Sequence, residues 1–139
     1  SRRSRFDGMS DIPTDLREQI RSDPYCELLD IDFANIDVGT AQAELTVTEE
    51  LLNFHGTLHG GAIYSLADAA FAAASNSHGD PAVGLESNIS YLSAVDVGDT
   101  LLATAKETHL SSGTGEYEVE VTNGAGDRVA TFRGRVYRP

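Results

Sequence analysis

The chain is short of cysteine, lysine and long apolar runs. Of its 139 residues one is cysteine, Cys26, which excludes an internal disulfide and a cysteine-based metal cluster. Its position beside Tyr25 indicates a small packed hydrophobe rather than a nucleophile. No apolar run reaches the roughly 18 residues that span a bilayer. Asp68 interrupts the nearest approach, residues 62–74. We therefore expect no membrane partner.

Positive charge is also scarce, because Lys106 is the only lysine and 22 acidic residues face 10 basic ones. The net charge of -12 disfavours nucleic acid, whose phosphates are bound by clustered lysine and arginine. An acid excess on a chain of otherwise globular composition favours a halophile, in whose salt-rich cytoplasm self-repulsion is screened. An acidic protein from an ordinary cytoplasm is the alternative.

The N-terminal segment differs from the rest. Residues 1–8, SRRSRFDG, are basic but lead into no apolar stretch, so they do not indicate a secretory signal. Met9 begins a sequence typical of a natural start. We interpret residues 1–9 as a disordered tail or vector remnant and residues 10–139 as a single domain. We expect a cytoplasmic protein.

The periodicity of the remaining residues predicts an α+β domain. A helix begins at Thr14 and ends at Pro24, and residues 28–48 alternate as two strands around a turn at Gly39. Residues 59–77 form one long alanine-rich helix. Four strands follow in a meander, over residues 82–95, 99–111, 115–123 and 127–138. Because the long helix is alanine-rich all round, we expect a curved antiparallel six-stranded sheet to wrap around it.

The segment LLNFHGTLHGGAIYSLADAAFAAAS, residues 51–75, places one carboxylate in a run of small apolar residues. With AVGLESNISYL at 82–92, VGDTLLATA at 97–105 and VATFRGRVYR at 129–138, it resembles the hotdog-fold thioesterases of the phenylacetate-degradation (PaaI-like) family. The resemblance extends from about residue 25 to the C-terminus. It implies hydrolysis of acyl-coenzyme A thioesters by dimers or tetramers whose sites lie between subunits. Coenzyme A is then part of the substrate, and no separate cofactor is expected.

The resemblance assigns catalytic roles to Asn53, His59, Gly60 and Asp68. Asp68 would activate water or attack the thioester carbonyl, and its alanine-rich surroundings should raise its pKa. Gly60 and Gly61 open the helix, where unpaired amides can stabilise an oxyanion. Asn53 would orient water or the carbonyl, unless it only bonds its own loop. His59 would act in catalysis or cap the helix.

Substrate contacts are predicted at Gly61, Tyr64, Phe71, Gly84, Ser87 and Arg133. Tyr64 and Phe71 are aromatic walls of an acyl pocket or parts of the core. Gly84 occupies a position where some relatives have a hydroxyl, and Ser87 lies nearby. Relatives often have a basic residue in the turn that here is SSGTGEYE. The coenzyme A phosphates would then be bound by Arg133 or other strand-end cations, unless these are only solvated.

Spacing along the helix predicts a site shared by two chains. Gly60 and Asp68 are eight residues apart, which is about 12 Å along a helix. One helix therefore cannot bring both groups to the same carbonyl carbon. Two antiparallel helices at a dimer axis can, with Gly60 of one chain facing Asp68 of the other. We predict a homodimer that assembles into a homotetramer.

Other interpretations remain open. His55 and His59 are four apart, as metal ligands on a helix can be, but no glutamate follows His55 in an HExxH pattern, and we predict no metal. A hotdog hydratase or dehydratase and a non-catalytic acyl-coenzyme A binding protein are the alternatives to a thioesterase. By resemblance, the expected acyl group is phenylacetyl or another aryl-acyl group, or a short or medium chain.

The charge balance predicts that stability depends on salt. At low ionic strength the like charges repel over longer distances, so the folded or assembled state should be weaker. We expect the thermal midpoint to be higher in molar KCl than in dilute buffer. Equal midpoints in the two solutions would contradict the halophile interpretation.

Overall fold

The structure, a computed structural model, describes residues 12–139; the predicted tail at residues 1–9 lies outside this range. In chain order the elements are α1 (Thr14–Arg21), α2 (Pro24–Leu29), β1 (Asp32–Asp37), β2 (Thr40–Thr46), a 3-10 turn (Glu49–Leu51), α3 (Gly60–Ser75), β3 (Val83–Tyr91), β4 (Thr100–Leu110), β5 (Thr114–Thr122) and β6 (Arg128–Tyr137). The six strands form one antiparallel sheet with α3 packed against it, which confirms the predicted α+β architecture.

The strand order in the sheet is β1-β2-β4-β5-β6-β3. The prediction that the last four strands form a meander is therefore wrong for β3, which pairs with β6 rather than β4. Both edges of β4 are already occupied, since Ala103 lies opposite Ala43 of β2 and opposite Val121 of β5. The connection after β3 thus carries the chain from the sheet edge to its middle. Among the described strands, β3 has a neighbour on one side only.

The long helix α3 approaches the sheet closely because both surfaces consist of small side chains. Ten of its sixteen residues are buried, and most of these are alanine. It packs chiefly on β2 and β4. These strands contribute four alanines that are almost completely buried: Ala41, Ala43, Ala103 and Ala105. Because these alanine side chains are small, the contact excludes water and the helix lies deep in the curve of the sheet.

One face of α3 remains exposed in the single chain. Gly61, Asp68 and Ala72 reach solvent, and their spacing of seven and four residues puts them on one stripe. The prediction of a helix enclosed on all sides is therefore wrong for the isolated chain. The exposed stripe contains the carboxylate that the sequence predicts to be catalytic.

A second short helix, α2, lies against α3. Pro24 was predicted to end a helix, but α1 ends at Arg21 and Pro24 begins α2 instead. The Asp23 carboxylate caps α2 by accepting a hydrogen bond from the Cys26 amide at 3.0 Å, and proline is tolerated in the first helical turn because its missing N–H would be unpaired there. The Tyr25 hydroxyl bonds that of Ser65 on α3 at 2.9 Å. The sequence alone did not predict that α2 packs against α3.

The single cysteine lies in the core. Cys26 is buried, and burial raises the pKa of its thiol to about 12, with the Asp23 carboxylate adding to the effect. It is therefore an unreactive packing residue. Across residues 12–139, no helix is long and apolar enough to cross a bilayer. The same range contains no cluster of three or more His, Cys, Asp or Glu side chains suited to a metal ion.

The Phe71 ring fixes the other end of α3 against β6. It packs on Tyr117 and Phe132, with ring centroids 5.7 and 5.5 Å away. A methyl group at Gly134 would come within 2.6 Å of this ring. Position 134 is thus glycine because the Phe71 ring approaches its backbone closely.

We predict that Gly134→Ala destabilises the protein by about 1–3 kcal/mol, as overpacking does in well-packed cores. The measurement is the free energy of unfolding in denaturant. Gly124→Ala is the matched control, because nothing lies within 4 Å of a methyl group there. An equal effect of the two substitutions would mean that the Phe71 contact is unimportant.

Candidate active site

Asp68 is the only carboxylate of α3 and lies on its exposed stripe. Although its side chain reaches solvent, neighbouring atoms partly desolvate it and raise its pKa above the ordinary value. The charge of Asp23, at the cap of α2, raises this pKa further. A raised pKa makes the carboxylate a better base for proton transfer from water. Sequence reasoning missed Asp23, because the Asp-Pro pair was interpreted as the end of one helix and not the cap of the next.

The helix start supplies one backbone donor rather than the predicted two. The Gly61 amide donates to Nδ1 of His59 at 2.9 Å and is therefore already occupied. Within residues 12–139, no acceptor is found for the amide of Gly60, the first residue of α3. The positive end of the helix dipole strengthens this donor toward an anion. Gly60 is thus the stronger candidate for oxyanion binding.

His59 caps α3 with its side chain. Because Nδ1 accepts the hydrogen bond from Gly61, a neutral ring places its proton on Nε2. The alternative role predicted for His59, helix capping, is therefore the one that the single chain displays. The ring is exposed, so its Nε2–H can still donate to a bound molecule.

Asn53 organises the loop that leads into the helix. Its side-chain oxygen accepts hydrogen bonds from the amides of His55 and Thr57, at 2.9 and 3.2 Å, and from the Thr57 hydroxyl. This is the loop-bonding role that the sequence left open. In the described part of the chain its Nδ2 group has no acceptor, so the side chain can orient the loop and still donate to substrate.

Tyr91, at the end of β3, holds the helix start in place. Its hydroxyl donates to the carbonyl oxygen of Gly60 at 3.0 Å. A methyl group at Gly60 would lie 3.1 Å from this hydroxyl oxygen, tighter than ordinary contacts. The glycine therefore admits the tyrosine as well as an incoming carbonyl. The sequence showed an aromatic residue at position 91 but did not indicate its hydrogen bond to Gly60.

The predicted substrate residues are distributed over several environments. Tyr64 and Ser87 are half-buried and share a hydrogen bond between their hydroxyls that joins α3 to β3. Gly84 is exposed on β3, and a methyl group there would touch Phe71 at 3.9 Å. Phe71 itself is 4% exposed and packs in the core of the single chain, which is one of the two roles that the sequence left open. Arg133 lies on the exposed outer face of the sheet, between the inward-facing Phe132 and Gly134.

The single chain does not bring the predicted donor and base together. Gly60 and Asp68 stand about 12 Å apart along the axis of α3. Asn53, His59 and Gly60 belong to one end of the helix, and Asp68 lies two turns further on. In the single chain the candidate oxyanion donor and the candidate base are therefore separate.

A backbone donor and a partly desolvated carboxylate on one helix are the groups that hydrolysis of a carbonyl derivative requires. Residues 55–137 match the family model described as "Thioesterase superfamily". The chain belongs to this superfamily and is a thioesterase with the hotdog fold.

Particular relatives agree with this assignment. The acyl-coenzyme A thioesterase PaaI of Escherichia coli is 43% identical over 117 residues, 84% of each chain. The solved structure of the E. coli PaaI protein superposes with a TM-score of 0.85 at 41% identity, over 88% of this chain and 89% of the other. The Streptococcus mutans protein smu.793, solved with bound acetyl-coenzyme A, has a TM-score of 0.75 at 32% identity, over 78% and 88%.

The position of Asp23 predicts a change in pH dependence. Asp23→Asn removes a negative charge but keeps a capping oxygen for α2, so the pKa of Asp68 should fall. Activity is lost as pH decreases through the pKa of a general base, and the acid limb of kcat/KM should therefore move to lower pH. Asp32→Asn, an exposed acid on β1, is the matched control. An unmoved acid limb would show that Asp23 does not act on the base.

Proposed function

We propose that this protein hydrolyses acyl-coenzyme A thioesters in a site formed by two chains. The carbonyl oxygen of the substrate binds the Gly60 amide of one chain, and Asp68 of the other chain activates water or attacks the carbonyl carbon directly. In the first case water adds to the carbonyl carbon and the C–S bond breaks, giving the carboxylic acid and coenzyme A as the thiol. In the second case the C–S bond breaks as a mixed anhydride forms on Asp68, coenzyme A leaves as the thiol, and water then hydrolyses the anhydride to release the acid and restore the carboxylate. The observation that supports this most is the unpaired Gly60 amide two helical turns from a carboxylate of raised pKa.

The other residues of the loop complete the oxyanion site. His59 directly precedes Gly60 and Asn53 lies seven residues before it, and their donors are Nε2–H and the Nδ2 group. Removing one oxyanion donor commonly costs 10²–10³-fold in turnover, roughly 2.7–4 kcal/mol of transition-state stabilisation. Because Gly61 is occupied by His59, side-chain donors take the place of a second backbone amide.

The open edge of β3 supports the proposed dimer. Val83, Leu85 and Tyr91 along this strand are each about half exposed (51%, 51% and 52%). An unpaired apolar edge is a template for another strand, and proteins normally cover it. Antiparallel pairing of two β3 strands about a two-fold axis would set the two α3 helices side by side in opposite directions. Gly60 of each would then approach Asp68 of the other.

We extend the proposal to a homotetramer that works in a salt-rich cytoplasm. The outer face of the sheet has acids and bases in alternation, including an Arg128–Glu120 ion pair at 2.9 Å, and mixed charge of this kind suits contact between two like surfaces. The net charge of -12 supports the salt-rich setting.

Arg133 is our candidate for the coenzyme A phosphates. It lines a hollow of about 290 Å³ on the outer face of the sheet, together with Arg135, with Ser87 and Asn88 of the edge strand, and with two acids, Glu86 and Glu116. In residues 12–139 it has no carboxylate within ion-pair distance, whereas Arg135 lies 3.8 Å from Glu86. An exposed, unpaired guanidinium beside the β3 edge can bind a coenzyme A phosphate that extends out of the proposed dimer interface.

For this candidate we predict that Arg133→Gln raises KM for an acyl-coenzyme A several-fold. KM for the corresponding acyl-pantetheine, which lacks the nucleotide phosphates, should not change. Arg128→Gln, which removes a guanidinium already paired with Glu120, is the control. Equal effects on both thioesters would exclude a phosphate role.

The catalytic proposal predicts that Asp68→Asn folds and assembles normally but loses on the order of 100-fold or more in turnover. Thiol release from an acyl-coenzyme A panel measures it, with circular dichroism and sedimentation as controls of fold and assembly. Near-normal turnover in the folded variant would remove Asp68 from the mechanism.

The shared site predicts complementation between two inactive variants. Asp68→Ala removes the base, and Gly60→Pro removes the amide at a position where proline fits a helix start. Each homodimer should be nearly inactive. Equal mixing makes about half of the dimers hybrid, each with one intact site, so activity should return to roughly a quarter of wild type. No recovery in folded hybrids would place the whole site within one chain.

A further inference from the structure

A groove runs along the exposed stripe of α3 beyond Asp68. It has a volume of about 530 Å³ and lies between α3, the two N-terminal helices and the loop after α3. We call it the α1–α3 groove. Its lining residues from α3 are Ala69, Ala72 and Ala73, and across from them lie Leu16, Ile20 and Phe33.

The α1–α3 groove begins next to the proposed base. Ala69 follows Asp68 directly, and Ala72 is one turn later, about 6 Å along the helix axis. Both line the groove, as does Asp23, whose charge acts on Asp68. The groove extends from Asp68 toward the C-terminal end of α3, away from the Gly60 end. A carbonyl held at Asp68 would thus have its acyl substituent at the entrance.

The walls of the groove are mainly apolar, and their polar groups are largely bonded within the protein. Asn76 donates to the carbonyl of Ala72 and accepts from the amide of Ala82. The Ser22 hydroxyl donates to the Gln19 carbonyl. Asp23 is the only charged side chain in the lining, and no basic residue accompanies it there.

Resting on the proposed function, we propose that the α1–α3 groove holds the acyl group of the substrate. We further propose that Asp23 selects uncharged acyl groups against those that end in a carboxylate. A cavity of about 150 Å³ is enough for a benzene ring, so the groove admits an aryl-acyl or medium aliphatic group. A terminal carboxylate would face Asp23 without a cation to neutralise it, and like charges in a partly desolvated site repel strongly.

Filling the groove tests where the acyl group lies. Ala72 is exposed, so Ala72→Phe adds a ring to the groove without overpacking the core. We expect kcat/KM for phenylacetyl-coenzyme A to fall at least 10-fold relative to that for acetyl-coenzyme A. Ile20→Phe, which fills the groove from the opposite wall, should shift the same ratio in the same direction. Ala125→Phe in the exposed β5–β6 turn is the control and should leave the ratio unchanged.

Ile20→Phe also separates this effect from damage to the dimer, because it lies on α1 rather than on the α3 face. An unchanged ratio in both groove variants would overturn the proposal. So would an equal loss for both substrates, since a filled acyl site must discriminate by size.

Charge selection has its own test. Butanoyl- and succinyl-coenzyme A have acyl groups of equal length that differ in a terminal carboxylate. Asp23→Asn should raise the succinyl-to-butanoyl ratio of kcat/KM about 10-fold, measured at a pH where Asp68 is ionised in both enzymes. Asp32→Asn should not change it. A constant ratio in Asp23→Asn would overturn the selecting role.

Different results would overturn the proposed thioesterase activity and the proposed acyl site in the α1–α3 groove. If the wild-type enzyme hydrolyses no acyl-coenzyme A at all, the proposed function is wrong. If it hydrolyses several and none of the groove variants changes their order, the function stands and the acyl group binds elsewhere.

Discussion

The close contact of α3 with the alanine-lined inner face of the sheet determines most of this structure. Because Ala43 and Ala103 occupy so little space, the helix lies deep in the curve and is covered on three sides. Any functional group of α3 that is to reach a substrate must therefore lie on the remaining, exposed side. A larger residue at these positions would lift α3 outward and move its glycine start and its carboxylate together.

The same helix separates the proposed oxyanion donor, Gly60, from the proposed base, Asp68, by about two turns. A rigid rod keeps the Gly60 amide and Asp68 at a fixed distance, which flexibility of side chains cannot close. Rigid spacing is useful when the partner is an identical rod, since two-fold symmetry makes both sites from one set of positions. The composite site that we propose would then be a consequence of helix geometry.

The sequence predicted those features that depend on local rules. The extent of α3, the turn positions and the glycine start of α3 follow from capping, glycine placement and periodicity. The position of β3 could not be predicted in this way, because its pairing with β6 depends on both edges of β4 being occupied. The action of Asp23 on Asp68 likewise depends on how α2 packs over α3. Phe71 was ambiguous in the sequence because an aromatic ring on a helix suits both a pocket and a core.

The attachment of β3 to a single neighbour has a consequence for biosynthesis. Residues 83–91 leave the ribosome well before residues 128–137, the strand that receives them. Until β6 is available, α3 and β3 are only partly covered by other strands, and such long-range pairing is slow to form. A chain cut short before β6 would retain every proposed catalytic residue and still lack the strand that fixes Tyr91 beside Gly60. Strand β6 thus completes the proposed site, to which it contributes no proposed catalytic side chain.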